Sequence, residues 1–75
     1  MNERIYMKEF QLWNGERFIT FDLLEITDKA IVVAVTKEGK ISVCEYELFE
    51  DEHGLYFEYG LHYTRININD FEDVE

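Results

Sequence analysis

Residues 30–49 read AIVVAVTKEGKISVCEYELF. The first seven, Ala30–Thr36, are uncharged, rich in β-branched side chains and apolar on both parities. They suit an extended strand and offer no helical stripe. At a sheet margin such a segment would recruit other chains, so it is expected in the middle of a sheet, covered on both faces. Lys37-Glu38-Gly39-Lys40 follows as a turn, with glycine supplying the positive φ a tight hairpin requires. Ile41–Phe49 then alternates, with Ile41 and Val43 on one face and Cys44, Tyr46 and Leu48 on the other. Glu45 and Glu47 continue the Ile41 parity, so that face leaves the core halfway along the strand. Strand, turn, strand is the reading that makes this a β protein. The competing reading is a helix within Ser42–Glu52, where Cys44, Leu48 and Phe49 also form a stripe.

The same grammar extends in both directions. Tyr6–Trp13 sets Phe10 and Leu12 against Glu9 and Gln11, and it ends at Asn14-Gly15, a strong hairpin signal. Arg17–Ile26 sets Ile19, Phe21 and Leu23 against Phe18, Thr20 and Asp22. The switch of parity at Leu24 and Ile26 predicts a bulge near Leu23-Leu24. Thr27-Asp28-Lys29 is a polar turn, and Glu50–Gly54 is a charged loop closing the next hairpin. Leu55, Phe57 and Tyr59 share a face opposite Tyr56 and Glu58, and after Gly60 the run Tyr63–Ile68 sets Ile66 and Ile68 against Arg65 and Asn67. Asn69-Asp70-Phe71-Glu72 suits one helical turn docking Phe71, with fraying expected from Asp73 to Glu75. The expected fold is all-β: a single domain, residues 1–75, forming a small twisted antiparallel meander of five to six strands with a short C-terminal helical turn. At this length the meander rolls into an SH3-like open barrel or packs sheet on sheet in a homodimer.

A chain of 75 residues with 47% hydrophobic and 16% aromatic composition is too apolar for disorder. It is also small enough that only about 60% of its unfolded surface is buried, and an oligomer interface would add to that. Cys44 is the lone cysteine, so no intramolecular disulfide staples the fold, which favours a reducing cytoplasm. No stretch approaches the ~18 apolar residues of a membrane helix. Met1–Lys8 carries charge where a signal peptide needs an apolar run. A complete cytoplasmic protein is expected.

The formal charge is −10, and it is unevenly placed. Residues 1–44 carry seven acidic and six basic side chains, whereas residues 45–75 carry ten acids and one base, Arg65. Direct binding to nucleic acid or to an anionic membrane needs a basic stripe, and the seven Lys and Arg residues are scattered among acids.

Catalytic chemistry has little support. Cys44 reads as a small buried apolar residue, and an adjacent Glu45 discourages the thiolate. His53 and His62 have no neighbouring serine or cysteine with which to form a triad. Cys44, His53 and His62 lack the close ligand pairs of a zinc site, and the Glu50–Gly54 loop lacks the alternation of a calcium loop. The carboxylates of Glu45, Glu47 and Glu58 would need a deep cleft to act as a glycosidase pair. No glycine-rich phosphate motif is present. Neither a metal, a cofactor nor an enzymatic activity is expected.

Three readings of the acidity remain open. It serves solubility; or it binds a protein with a basic surface, using aromatic anchors and a carboxylate rim; or it imitates nucleic acid and inhibits a DNA- or RNA-binding protein. The partner-binding residues on this reading are Glu45, Glu47, Glu50, Asp51, Glu52 and Glu58, with Tyr46, Tyr56 or Tyr59 at the centre.

The block from Asn14 to Gly60, with NGERFITFDLLEIT, GKISVCEYELFED and GLYFEYG, resembles small uncharacterised proteins carried by conjugative transposons of low-GC Gram-positive bacteria. The resemblance rests on general pattern and brings no catalytic signature. It implies a cytoplasmic accessory protein of a mobile element, one that interacts with host or transfer proteins.

Overall fold

The computed structural model describes residues 7–74. Its first four strands form a meander: β1 (Met7–Trp13), β2 (Phe18–Ile26), β3 (Ala30–Lys37) and β4 (Lys40–Glu47). Tyr6, expected to open the first strand, lies outside the described residues, as does Glu75.

Each connection follows from local chemistry. Asn14 Oδ1 accepts the backbone N–H groups of Glu16 and Arg17 at 2.8 and 3.0 Å, and Gly15 takes φ +102°, which closes a four-residue loop on the Trp13–Phe18 pair. Thr27 Oγ1 accepts the N–H groups of Lys29 and Ala30 in the next turn. Glu38 and Gly39 both have positive φ, 55° and 79°, between the paired Lys37 and Lys40. Positive φ at both central residues is the mark of a type I′ hairpin.

Alternation works as expected along β1 and β2. Phe10 pairs with Phe21 and Leu12 with Ile19 on the inner face, while Gln11 pairs with Thr20 on the outer face. The ladder to β3 slips between Leu23 and Glu25, leaving Leu24 as the bulged residue, 54% exposed.

The expected single strand Ile41–Phe49 is broken. The Leu48 N–H donates to the Lys29 carbonyl at 2.9 Å, ending the first sheet, and the chain passes into a second one. That sheet comprises β5 (Phe49–Asp51), β6 (Gly54–Tyr59) and β7 (Thr64–Asn67). The charged loop shrinks to the two residues Glu52 and His53, because Asp51 already pairs with Gly54. The helix considered for Ser42–Glu52 is absent.

One 3-10 turn (Ile68–Asp70) buries Phe71 at the sandwich margin. Asp73 and Val74, expected to fray, are in a strand. Glu72–Val74 forms β8, which pairs antiparallel with β1, Met7 opposite Val74 and Glu9 opposite Glu72. The first sheet therefore has five strands, in the order β4-β3-β2-β1-β8. The fold is all-β as expected, with eight strands in two sheets among the described residues in place of five to six, and the sheets pack on each other within one chain.

The core lies between the sheets: Ile19, Phe21, Ile31, Val33 and Val35 from the larger, Phe57 and Ile66 from the smaller, and Phe71. Phe57 stacks on Tyr46 at 5.0 Å and meets Phe21 edge-on at 5.9 Å, while Tyr59 meets Phe21 edge-on at 4.9 Å. Such aromatic pairs add about 0.5–1.5 kcal/mol each beyond area burial. The expectation that β3 is covered on both faces is corrected. Ile31, Val33 and Val35 are buried, but Val32, Ala34 and Thr36 face outward and are only half-buried, screened by adjacent strands rather than by a second layer.

Candidate interaction surface

The outer face of the five-stranded sheet has no cover among the described residues, and register fixes what stands on it. Opposed residues share a face, so the rows can be read across the strands. Trp13 stands beside Phe18, with ring centroids 4.9 Å apart. The next row runs Gln11, Thr20, Thr36, Ile41, and the next Glu72, Glu9, Asp22, Ala34, Val43. Beyond the bulge come Glu25, Val32 and Glu45, then Ala30 and Glu47.

One end of this face is apolar. Trp13 is 56% exposed, Phe18 55%, Ile41 69% and Val43 68%. Six carboxylates occupy the rest of the face: Glu25, Glu45 and Glu47 at the other end, and Glu72, Glu9 and Asp22 in the Val43 row on the β8 side. Glu9 is directly opposite both Asp22 and Glu72, a like-charge arrangement that costs stability rather than contributing it.

The edge of this sheet is a second element of the site. β4 ends the sheet, with no strand on its far side among the described residues. The turn closes on the pair Lys37–Lys40, and the Leu48 N–H donates to Lys29, so hydrogen-bonded pairs alternate between those two limits. Ile41, Val43, Glu45 and Glu47 fall in the intervening pairs. Their backbone N–H and C=O groups aim away from β3, at the open edge. Along the inner side of the same strand runs a groove of ≈ 460 Å³, lined by Val35, Ser42, Cys44, Tyr46 and Tyr59 among others. Burial pushes the Tyr46 phenol up to about 12, with neighbouring Cys44 and Tyr59 adding to the shift. Tyr46 is thus a neutral part of the groove wall, whose turn end carries the charged side chains of Lys37, Glu38 and Lys40.

The residues expected to bind a partner are dispersed. Glu45 and Glu47 stand on the outer face of the larger sheet. Tyr46 and Tyr59 point between the sheets and are half-buried in aromatic packing, so neither is a projecting anchor. Tyr56 lies on the outer face of the smaller sheet, stacked on Phe49 at 5.5 Å. Glu50 opposes Leu55 near the sheet margin and Glu52 occupies the exposed turn.

Asp51 is occupied. Arg65 Nη1 and Nη2 donate to its two oxygens at 2.8 and 3.0 Å, and Arg65 Nε donates to Asn67 Oδ1 at 2.7 Å. The guanidinium also lies 3.8 Å above the Tyr56 ring. Together with the His53 N–H, which donates to Oδ1, Arg65 holds the Asp51 carboxyl down at about 2. Glu58 opposes Arg65 on the same face. The single base of the acidic half is thus committed to Asp51, and the larger sheet's outer face carries six carboxylates in its rows.

Cys44 is half-buried opposite Val33, in keeping with a small apolar residue. Among the described residues no three His, Cys, Asp or Glu side chains are placed to hold one metal ion, and no helix is long and apolar enough to cross a membrane.

Sequence reasoning missed the outer row of Glu72, Glu9 and Asp22, and the apolar patch beside it. The signal lay in the parity of Trp13, Phe18, Ile41 and Val43, each on the non-core side of its strand. No protein-family model, curated protein sequence or solved structure matches the chain.

Proposed function

We propose that this chain is a small non-enzymatic protein-interaction module that receives a partner of basic surface on the outer face of its five-stranded sheet. The observation that carries the reading is the uncovered face itself. Trp13, Phe18, Ile41 and Val43 are exposed on it, beside carboxylates that include a directly opposed set. Exposed aromatic and aliphatic residues next to a charged margin are the composition of a binding patch, and the opposed carboxylates cost stability that solubility alone does not require. The resemblance to proteins of conjugative transposons supports a cytoplasmic accessory role in a mobile element, with a host or transfer protein as partner.

Two triple variants test it, E9K/E45K/E47K on the larger sheet and E50K/E52K/E58K at the smaller one. Tagged protein is used to recover the partner from the native host. Loss of recovery in the first variant alone is the expected result. Equal recovery by both variants would end this reading.

A second reading, nucleic-acid mimicry, is favoured by one observation. Glu72, Glu9 and Asp22 form a line of carboxylates across three adjacent strands, spaced by about 4.8 Å per strand. On this reading added DNA or RNA displaces the protein from its partner, and failure to displace excludes it.

A further inference from the structure

We infer that the partner segment binds as an added strand on the open edge of β4, antiparallel to it, and that the segment carries basic and apolar side chains in a fixed alternating order. The inference rests on the interaction reading above and specifies its geometry.

Three observations converge on the edge. First, Ile41, Val43, Glu45 and Glu47 present backbone donors and acceptors that have no partner strand among the described residues, at every second position, the template that strand addition uses. Second, the side chains of those four residues stand on the outer face in the order apolar, apolar, acidic, acidic. Third, the opposite side of the strand borders a groove of ≈ 460 Å³ walled by Ser42, Cys44, Tyr46 and Tyr59, with Lys37, Glu38 and Lys40 at its turn end, and it accepts the small alternate side chains of an incoming strand. Antiparallel addition continues the sheet's own pattern and is the more stable arrangement.

Register then writes the ligand. Opposite Glu47, Glu45, Val43 and Ile41 in turn, an antiparallel segment read from its N-terminus needs basic, basic, apolar, apolar residues at alternate positions. Small or β-branched side chains between them face the groove. A second copy of this chain fits poorly. Full-length pairing of β4 with itself sets Glu45 against Val43 and Glu47 against Ile41, lining up four carboxylates without a cation. Each chain also carries a net charge of −10. The carboxylates that guard this edge against its own kind select a cationic strand.

The probe is the labelled peptide Lys-Thr-Lys-Ala-Val-Thr-Ile, titrated with the full chain by fluorescence anisotropy at low salt. Half-saturation is expected on the order of 100 μM. Two N-methylated forms separate strand addition from charge attraction. Methylation of the second lysine and the valine blocks N–H groups facing β4, and weakens binding by about tenfold or more. Methylation of the alanine and the second threonine blocks N–H groups facing away, and leaves binding within about twofold. In the protein, Val43→Pro removes an N–H that points outward, so the β3–β4 ladder is kept. Its circular dichroism spectrum should be retained while binding is lost. The variant E45K/E47K should exchange preference to the peptide with both lysines replaced by glutamate. Equal affinity of the two methylated forms overturns strand addition while leaving a charge-based interaction surface standing. Absence of binding by the unmodified peptide up to about 1 mM overturns the inferred ligand pattern. Partner recovery that survives Val43→Pro but fails in E9K/E45K/E47K would overturn this inference and keep the broader reading.

Discussion

Truncating one phenylalanine on each side of the larger sheet gives a direct measure of what the two faces do. Phe57 from the smaller sheet is 0% exposed and packs between Tyr46 and Phe21, whereas Phe18 is 55% exposed with Trp13 as its aromatic neighbour. Phe57→Ala removes a fully buried ring and leaves a cavity between the sheets, at a cost of about 3–5 kcal/mol. Phe18→Ala loses about half the transfer term of a buried side chain, about 1 kcal/mol, and about 0.5 kcal/mol from the tilted contact with Trp13. A domain of this size has about 4–11 kcal/mol in all, so Phe57→Ala consumes much of it and Phe57→Leu serves as the milder companion at about 1–2 kcal/mol. Urea denaturation followed by circular dichroism reads the difference, with a midpoint lowered by about 2–4 M for Phe57→Ala and by about 1 M for Phe18→Ala. Equal losses at the two positions would refute the reasoning. They would mean that the outer face is covered in solution, and a midpoint that rises with protein concentration would identify the cover as a second copy.

Three further outcomes are expected. Glu9→Lys converts two opposed like-charge contacts, to Asp22 and Glu72, into favourable ones; it should raise stability by about 1 kcal/mol, with the gain shrinking in about 0.5 M salt. Asp51 is held at about 2 by Arg65 and the His53 N–H, below its usual 3.8, so its stabilising effect is complete above about pH 4 and fades as the pH falls towards about 2. Asp51→Asn should therefore lower the urea midpoint by a constant amount at neutral pH, and the gap to the parent should close across that acid window; a gap unchanged at pH 2 would contradict the assignment. Gly39→Ala meets only backbone strain at φ +79° and should cost about 1 kcal/mol, while Gly54→Ala at φ +110° also brings a Cβ within 3.2 Å of Asn69 Nδ2 and should cost more in the same assay.

The alternating strands were legible because a period of two is written directly in the residues. Phe10 and Leu12, then Ile19, Phe21 and Leu23, mark the inner face, and the parity switch at Leu24 marks the bulge. Leu48 hides the break between the sheets, since it keeps the parity of Cys44 and Tyr46 while its N–H makes the last bond to Lys29. The strand at Glu72–Val74 has no apolar alternation of its own and exists through pairing with β1. The site was harder to read for the same reason. Charge counted along the chain pointed to residues 45–75, but register brings Glu9, Asp22 and Glu25 of the balanced half beside Glu45, Glu47 and Glu72, and Arg65 reaches Asp51 across 14 positions to remove an acid from the count.

The pairing of β8 with β1 has a consequence for how the molecule can be handled and joined. Met7 faces Val74 at one margin of the sheet, and β4 forms the other, with β3, β2 and β1 between them. Anything attached at residue 7 or residue 74 emerges from the flank farthest from β4. A fluorophore, a surface tether or a fused domain placed there leaves the β4 margin open.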